Sequence, residues 1–233
     1  MKRSSSLFFF SLLVSPLLVG FNLEGRIRLE GKPPESAPLE VEAKHHADCG
    51  EKKISPKLKV SPEGGVANAV VKLESAHRDR PLQGAVPGNA SREFILDQIQ
   101  CEFSPHVQLL PKGAELKILN SDGFLHDVRA FDESASMLFN DAMPKKGQVL
   151  KKRFDRPGRI LVRCGLHHWM HAIVVVQEHP YYALTDESGH FKIEGIPEGN
   201  YQLNVWQESL GEIKTEVKPD ASFLSLTYPA QTD

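Results

Sequence analysis

Short runs of alternating hydrophobic and polar residues recur along this chain. Alternation with a period of two is typical of strands that bury one face. The 17 glycines and 16 prolines fall between the runs, as expected for the turns of β-sandwiches. The pattern therefore predicts an all-β protein. The predicted strands are residues 23–29, 39–43, 57–60, 66–74, 107–110, 115–119, 149–154, 160–164 and 172–177.

The first 20 residues have the organisation of a secretory signal peptide. Lys2 and Arg3 precede the apolar run 7–14, and small or turn-forming residues follow up to Gly20. The run is shorter than the ~20 residues that a bilayer requires and is followed by serine and proline. We therefore expect an exported, periplasmic protein that has no stable membrane insertion after cleavage. An uncleaved anchor is the alternative.

One short loop carries three residues that bind soft metals. Cys164, His167 and Met170 lie between two predicted strands, which hold the ends of the loop side by side. His126, in the turn after the predicted strand 115–120, supplies a second imidazole. Trigonal coordination by two histidines and a cysteine, with a weak axial methionine, holds type 1 copper for electron transfer. The sequence therefore predicts a copper site made of His126, Cys164, His167 and Met170.

The same residue types also fit two other interpretations of this loop. Cys164 and Met170 are also residue types that fill hydrophobic cores, and cysteine with histidine also builds zinc sites. Copper is favoured because methionine is a poor zinc ligand. Successive side chains of an extended segment point to opposite sides, so His167 and His168 cannot both bind one metal. The Cys-x2-His-x2-Met spacing selects His167, and His168 is expected to face outward.

The chain has three cysteines. If Cys164 binds metal, Cys49 and Cys101 remain as a natural pair, and an oxidising compartment permits a disulfide between them. Such a bond would tie the N-terminal segment onto the metal-binding domain. The alternative is that either cysteine is a reduced core residue.

Other histidines lie near the predicted site. Residues 107–110 and 115–119 are separated by a Pro-Lys-Gly turn, which predicts a β-hairpin. The hairpin would return His106 to the level of Asn120, so we expect His106 next to the metal ligands, with a surface position as the alternative. His45 and His46 lie in a polar stretch and are expected to be solvated.

The order His, then Cys, His and Met on one loop resembles the cupredoxin family, and the spacing resembles the amicyanin ligand loop. Residues 103–106, Gly113 and 120–126 also resemble the cupredoxin pattern before the first copper histidine. The resemblance implies a Greek-key β-sandwich over residues 96–178. One departure is Asp127, where cupredoxins commonly have asparagine. Asp127, Glu102 or His106 would be the extra hard ligand of a red-copper site such as that of nitrosocyanin.

The C-terminal part has a different character. Its motif resembles carboxypeptidase regulatory-like, transthyretin-like β-sandwich modules, which implies a small second sandwich over residues 179–233. Strands 23–29 and 39–43, from the segment 21–95, are expected to complete it, so that the copper domain is an insertion. The whole arrangement resembles plastocyanin-like proteins labelled methylamine utilisation proteins. The motif residues are Thr185, Asp186, Gly189, Phe191, Ile193, Pro197, Gly199, Tyr201 and Leu203.

Together these features imply an electron carrier rather than an enzyme. No nucleophile-elbow motif is present, and 28 basic against 30 acidic residues give no basic stripe for nucleic acid. Redox proteins are the expected partners, docking on an apolar surface formed by Leu166 and Trp169. The alternatives are a red-copper site or a copper-holding module without an electron-carrier role.

Overall fold

The computed structural model shows an all-β protein, as the sequence pattern predicts. Among the described residues, no helix is long and apolar enough to cross a membrane. The predicted signal peptide lies outside the described residues except for Gly20, and so does much of the segment between residues 77 and 91. The described residues are 20–35, 37–76, 81–84, 92–218 and 223–230.

The strands are short and most of them alternate buried and accessible residues, which explains the period of two in the sequence. Two helical turns, Ala43–His45 and His46–Cys49 (α1), interrupt the N-terminal segment. The strands are β1 (Gly20–Leu29), β2 (Leu39–Glu40), β3 (Lys52–Lys53), β4 (Val70–Ser75), β5 (Phe94–Ile99), β6 (Glu102–Ser104), β7 (Val107–Pro111), β8 (Glu115–Asn120), β9 (His126–Phe131), β10 (Met137–Met143), β11 (Gln148–Arg153), β12 (Gly158–Arg163), β13 (His171–Gln177), β14 (Tyr182–Leu184), β15 (His190–Pro197), β16 (Tyr201–Gln207), β17 (Gly211–Val217) and β18 (Phe223–Tyr228).

Strands β5 to β13 form one sandwich, which we call the insert sandwich. One sheet has the order β11-β8-β5-β6 and the other has the order β10-β9-β12-β13-β7. Their inner faces share one hydrophobic core, in which Leu96, Ile118, Val162 and Val174 are fully buried. Within it β9 and β12 are antiparallel neighbours, so the start of β9 lies beside the end of β12.

The remaining long strands form a second sandwich, which we call the outer sandwich. Its sheets have the orders β15-β1-β18 and β14-β4-β16-β17, so its strands come from both sides of the insert in sequence. Residues 39–43 do not join it as we expected. Among the described residues β2 pairs only with β3, and Val41 and Cys49 pack into the core of the insert sandwich. Residues 57–60 form a single bridge, Val60 to Val66, rather than a strand.

The predicted hairpin over residues 107–119 is wrong. Strand β7 pairs in parallel with β13, whereas β8 lies in the other sheet between β5 and β11. The turn at Gly113 therefore carries the chain from one sheet to the other, and its N–H donates to the carbonyl of Phe154 at 2.9 Å. A Pro-Gly turn suits both connections, so the local sequence could not distinguish them.

The predicted disulfide is confirmed. Cys49 and Cys101 are bonded across 52 residues of sequence, with Cα atoms 5.5 Å apart. Cys49 ends α1 and Cys101 lies in the turn between β5 and β6, so the bond fastens the segment 39–53 onto the insert sandwich.

Replacing both cysteines, Cys49→Ala with Cys101→Ala, should lower the free energy of unfolding by about 2–4 kcal/mol, because the unfolded chain loses the constraint on a 52-residue loop. Chemical denaturation of the double variant and the oxidised wild type measures the difference. Equal unfolding midpoints would contradict the stabilising role.

Candidate metal centre

Three nitrogen and sulfur donors converge in the core of the insert sandwich. The Nδ1 atoms of His126 and His167 are 3.0 Å apart, and Sγ of Cys164 lies 3.5 Å from Nδ1 of His167 and 3.9 Å from Nδ1 of His126. The exposed fractions of His126, Cys164 and His167 are 0%, 2% and 2%, respectively. One thiol sulfur and two ring nitrogens therefore face a common point that is shielded from solvent.

The strand pairing and the loop position these donors. His126 begins β9, and Cys164 directly follows the neighbouring strand β12. The loop is closed by two hydrogen bonds: the N–H of Cys164 donates to the carbonyl of Met170 at 3.2 Å, and the N–H of Met170 donates to the carbonyl of His167 at 2.9 Å. Met170 is buried in the same core cluster as Cys164. All four residues predicted as ligands thus lie in one buried region.

Asp122 orients the first histidine. Its Oδ2 accepts a hydrogen bond from Nε2 of His126 at 2.9 Å, so Nδ1 of His126 carries the lone pair that faces Cys164. Burial alone raises the pKa of Asp122. The N–H groups of Cys101 and Gln100, together with His126, outweigh this effect and lower the pKa. An ionised carboxylate therefore holds His126 in the tautomer that a metal requires.

Asp127 holds the loop that carries Cys164. One of its oxygens accepts the N–H of Gly165 and the other accepts Nε–H of Arg129 at 2.9 Å. A Cβ on Gly165 would displace the guanidinium of Arg129, so the glycine leaves room for the contact between Arg129 and Asp127. The carboxylate of Asp127 thus fixes the loop at Gly165.

The three residues considered as extra hard ligands have other partners. Both oxygens of Asp127 are engaged by Gly165 and Arg129. Glu102 is exposed and lies 3.7 Å from the ammonium of Lys53. The ring of His106 contacts Glu208 and belongs to a cluster separate from His126, Cys164 and His167.

His45 was not foreseen as part of the site. Its ring lies 4.4 Å from that of His167 and 5.8 Å from that of Trp169, measured between centroids. Its Nε2 is buried and has no hydrogen-bond partner among the described residues, while Nε2 of His46 lies 2.8 Å from the carbonyl of Val41. The expectation that both histidines are solvated is therefore wrong. The clue in the sequence was Cys49, because its disulfide brings this segment to the site.

The surface around the site also differs in part from expectation. Trp169 is buried and its Nε1–H donates to the carbonyl of Cys101 at 3.0 Å, so Trp169 does not form a docking surface. Leu166 is 37% exposed. The side chain of His168 is 72% exposed and points toward Glu42, which agrees with the choice of His167 as the inward residue.

Burial sets the protonation of the donors. Loss of hydration lowers the pKa of His167 to about 4, and it also lowers the pKa of His126 despite the opposing effect of Asp122. Both rings are therefore neutral near pH 7, with lone pairs free for a metal. Burial raises the pKa of the Cys164 thiol, so a nearby cation is needed to hold it as a thiolate.

Solved structures that are similar to part of this chain include the following three. A purple cupredoxin from Nitrosopumilus maritimus is 20% identical, with a TM-score of 0.33, over 36% of this chain and 100% of that one. Amicyanin in its reduced state is 19% identical, with a TM-score of 0.34, over 46% of this chain and 99% of that one. A copper-containing nitrite reductase from Thermus scotoductus SA-01 is 21% identical, with a TM-score of 0.32, over 45% of this chain and 25% of that one.

These similarities cover less than half of the chain. No protein-family profile and no curated protein matches the chain. The insert sandwich itself consists of a four-stranded and a five-stranded sheet.

His45→Ala should open the face of His167 to water without removing a ligand. In copper-loaded protein we expect the visible absorption band to keep its position, while a chelator removes the metal roughly 10-fold faster. His45→Phe is the matched control, since it retains a ring over His167. A shift of the band in both variants would contradict the covering role and make His45 a ligand.

Proposed function

We propose that this protein is an exported carrier of single electrons that binds a type 1 copper ion through His126, Cys164, His167 and Met170. The observation that supports the proposal most directly is the convergence of two Nδ1 atoms and one thiol sulfur within 3.0–3.9 Å of one another in a buried pocket. This donor set is the trigonal one of blue-copper sites.

The composition of the site fits copper better than zinc. Structural zinc sites are closed by four strong nitrogen, sulfur or oxygen donors. The cluster here has three such donors, and Met170 follows on the same closed loop. A thioether is a weak ligand that suits copper. Bound copper would supply a one-electron couple at this point.

The protein surroundings would keep the ligands in one arrangement. Asp122 fixes the ring of His126, and Asp127 fixes the loop at Gly165. Phe124, whose ring is 5.1 Å from that of His126, and Trp169 exclude water from the other faces. Ligands that are already held in place need little rearrangement when the charge of the site changes, which favours electron transfer over catalysis.

A docking surface is proposed beside the ligand histidines. Leu125 and Leu166 are 44% and 37% exposed, and each precedes a proposed ligand, His126 and His167, by one residue. A redox partner that covers these leucines would come within a short distance of the imidazoles. Weak redox complexes typically bury less than about 1,200 Å² in total, so a small apolar patch is sufficient.

The proposal also covers the export of the protein and the boundaries of its domains. We propose a signal peptide over residues 1–20, export to the periplasm, a cupredoxin domain over 96–178 and a carboxypeptidase regulatory-like module over 179–233, with part of segment 21–95 shared. The turn at Asp186 supports the last assignment: its Oδ1 accepts the N–H groups of Ser188 and His190, each at 2.9 Å.

Absorption spectra of copper-loaded variants test the ligand set. Cys164→Ser should abolish the intense visible band, because that band requires the thiolate, and His167→Ala should abolish or strongly shift it. His168→Ala is the matched control and should leave the band unchanged, since its side chain points to solvent. A band that survives Cys164→Ser would contradict the proposal.

Voltammetry of the wild type completes this test. Reversible one-electron reduction is expected of an electron carrier. A visible band without reversible reduction would instead indicate a protein that only holds copper.

A further inference from the structure

A second group of metal-binding side chains lies where the two sandwiches meet. His106 precedes β7, His171 begins β13, and Glu208 lies in the turn between β16 and β17. Nε2 of His106 is 2.7 Å from Oε2 of Glu208, and Nε2 of His171 is 2.9 Å from Oε1. The parallel pairing of β7 with β13 places the two histidines side by side, and the outer sandwich supplies the carboxylate.

The hydrogen bonds of the rings fix which nitrogens face the carboxylate. Nδ1 of His106 lies 3.2 Å from the carbonyl of His171, and Nδ1 of His171 lies 3.3 Å from the carbonyl of Trp169. A carbonyl oxygen only accepts, so a hydrogen bond at either of these contacts requires the proton on Nδ1. In a neutral ring, Nε2 then has a lone pair directed at an acceptor oxygen of Glu208.

Such an arrangement is favourable if a cation lies among the three groups or if both rings are protonated. Neutral rings that carry the proton on Nε2 would instead donate to Glu208 and leave both Nδ1 lone pairs facing carbonyl oxygens. Double protonation would put two imidazolium ions, with ring centroids 4.9 Å apart, on a single carboxylate. Histidines that bind metals commonly donate their other N–H to a backbone carbonyl, as both rings do here. The hydrogen-bond pattern therefore favours a metal ion over a purely ionic contact.

The cluster is partly buried and its carboxylate is held by the fold. His106 is buried, and the side chains of His171 and Glu208 are mostly shielded. Neighbouring Gln207 is also buried, and its Oε1 accepts the N–H groups of Ser209 at 2.7 Å and Leu210 at 3.0 Å, which fixes the turn around Glu208.

We propose that His106, His171 and Glu208 bind a divalent transition-metal ion, zinc being the best match, at the junction of the two sandwiches. Two imidazoles and a carboxylate form a known zinc donor set. Ligand atoms at 2.0–2.1 Å from a tetrahedral zinc ion lie roughly 3.3 Å from one another, so the nitrogen-to-oxygen separations of 2.7 and 2.9 Å would lengthen by about half an ångström on binding. The site contains no thiol and does not depend on copper at Cys164.

The ion would join the outer sandwich to the ligand loop. His171 directly follows Met170, and its partner Glu208 belongs to the outer sandwich. A metal bound there would fix the end of the loop against a second, independent sheet. The outer sandwich would then act as a support for the metal centre of the insert sandwich.

Zinc titration of the full chain carrying Cys164→Ser tests the proposal, since this change removes the thiol of the first cluster. Calorimetry should give one tight equivalent, and adding Glu208→Gln should weaken its binding by roughly 100-fold or more. Glu216→Gln, an exposed position on the same hairpin, is the matched control and should have no effect. Equal affinities with and without Glu208→Gln would overturn the proposal and leave an ion pair only.

Cobalt absorption of the unsubstituted chain keeps the proposal testable if the variants fail to fold. Two binding steps are expected, one with sulfur-to-cobalt charge transfer and one with only the weak bands of nitrogen and oxygen ligands. A single thiolate-type step would overturn the second site. Absence of the thiolate step alone would count against copper binding at Cys164 but not against this site.

Discussion

The antiparallel pairing of β9 with β12 is the interaction on which the metal centre depends. It places His126 at the start of one strand beside Cys164 at the end of the other, although 38 residues separate them in sequence. The backbone hydrogen bonds between Cys164 and Met170 and between Met170 and His167 then fold the loop back over the same point. Backbone geometry thus brings the donors together, while desolvation keeps the two imidazoles neutral.

The disulfide extends this arrangement beyond the sandwich. Cys101 donates its N–H to Asp122, which orients His126, and its carbonyl accepts the indole N–H of Trp169. Its partner Cys49 lies four residues after His45, the residue whose ring covers His167. The disulfide therefore has two effects on the site. It fixes Cys101, which holds Asp122 beside His126, and it keeps His45 over the ring of His167.

Short-range features of the site could be predicted from the sequence. The spacing of Cys164, His167 and Met170 confines them to one loop, and alternation within strands reveals which residues face the core. The pairing of Cys49 with Cys101 followed from the third cysteine being committed elsewhere. Each of these inferences needs only local order or simple elimination.

Contacts between distant segments could not be predicted. The partner of β7 is β13, which lies far along the chain, so the turn at Gly113 looked like a hairpin. Glu208 meets His106 across 102 residues, and no local pattern marks that contact. The expected positions of His45 and Trp169 were wrong for a related reason, since the disulfide that brings the segment 39–53 to the site joins residues 52 positions apart.

X-ray absorption at the copper edge of the copper-loaded wild type tests the central claim most directly. One short copper-sulfur contact together with two imidazole nitrogens is the predicted first coordination shell, because Cys164, His126 and His167 are the donors that converge. A shell that contains only nitrogen and oxygen, with no short sulfur contact, would contradict the account.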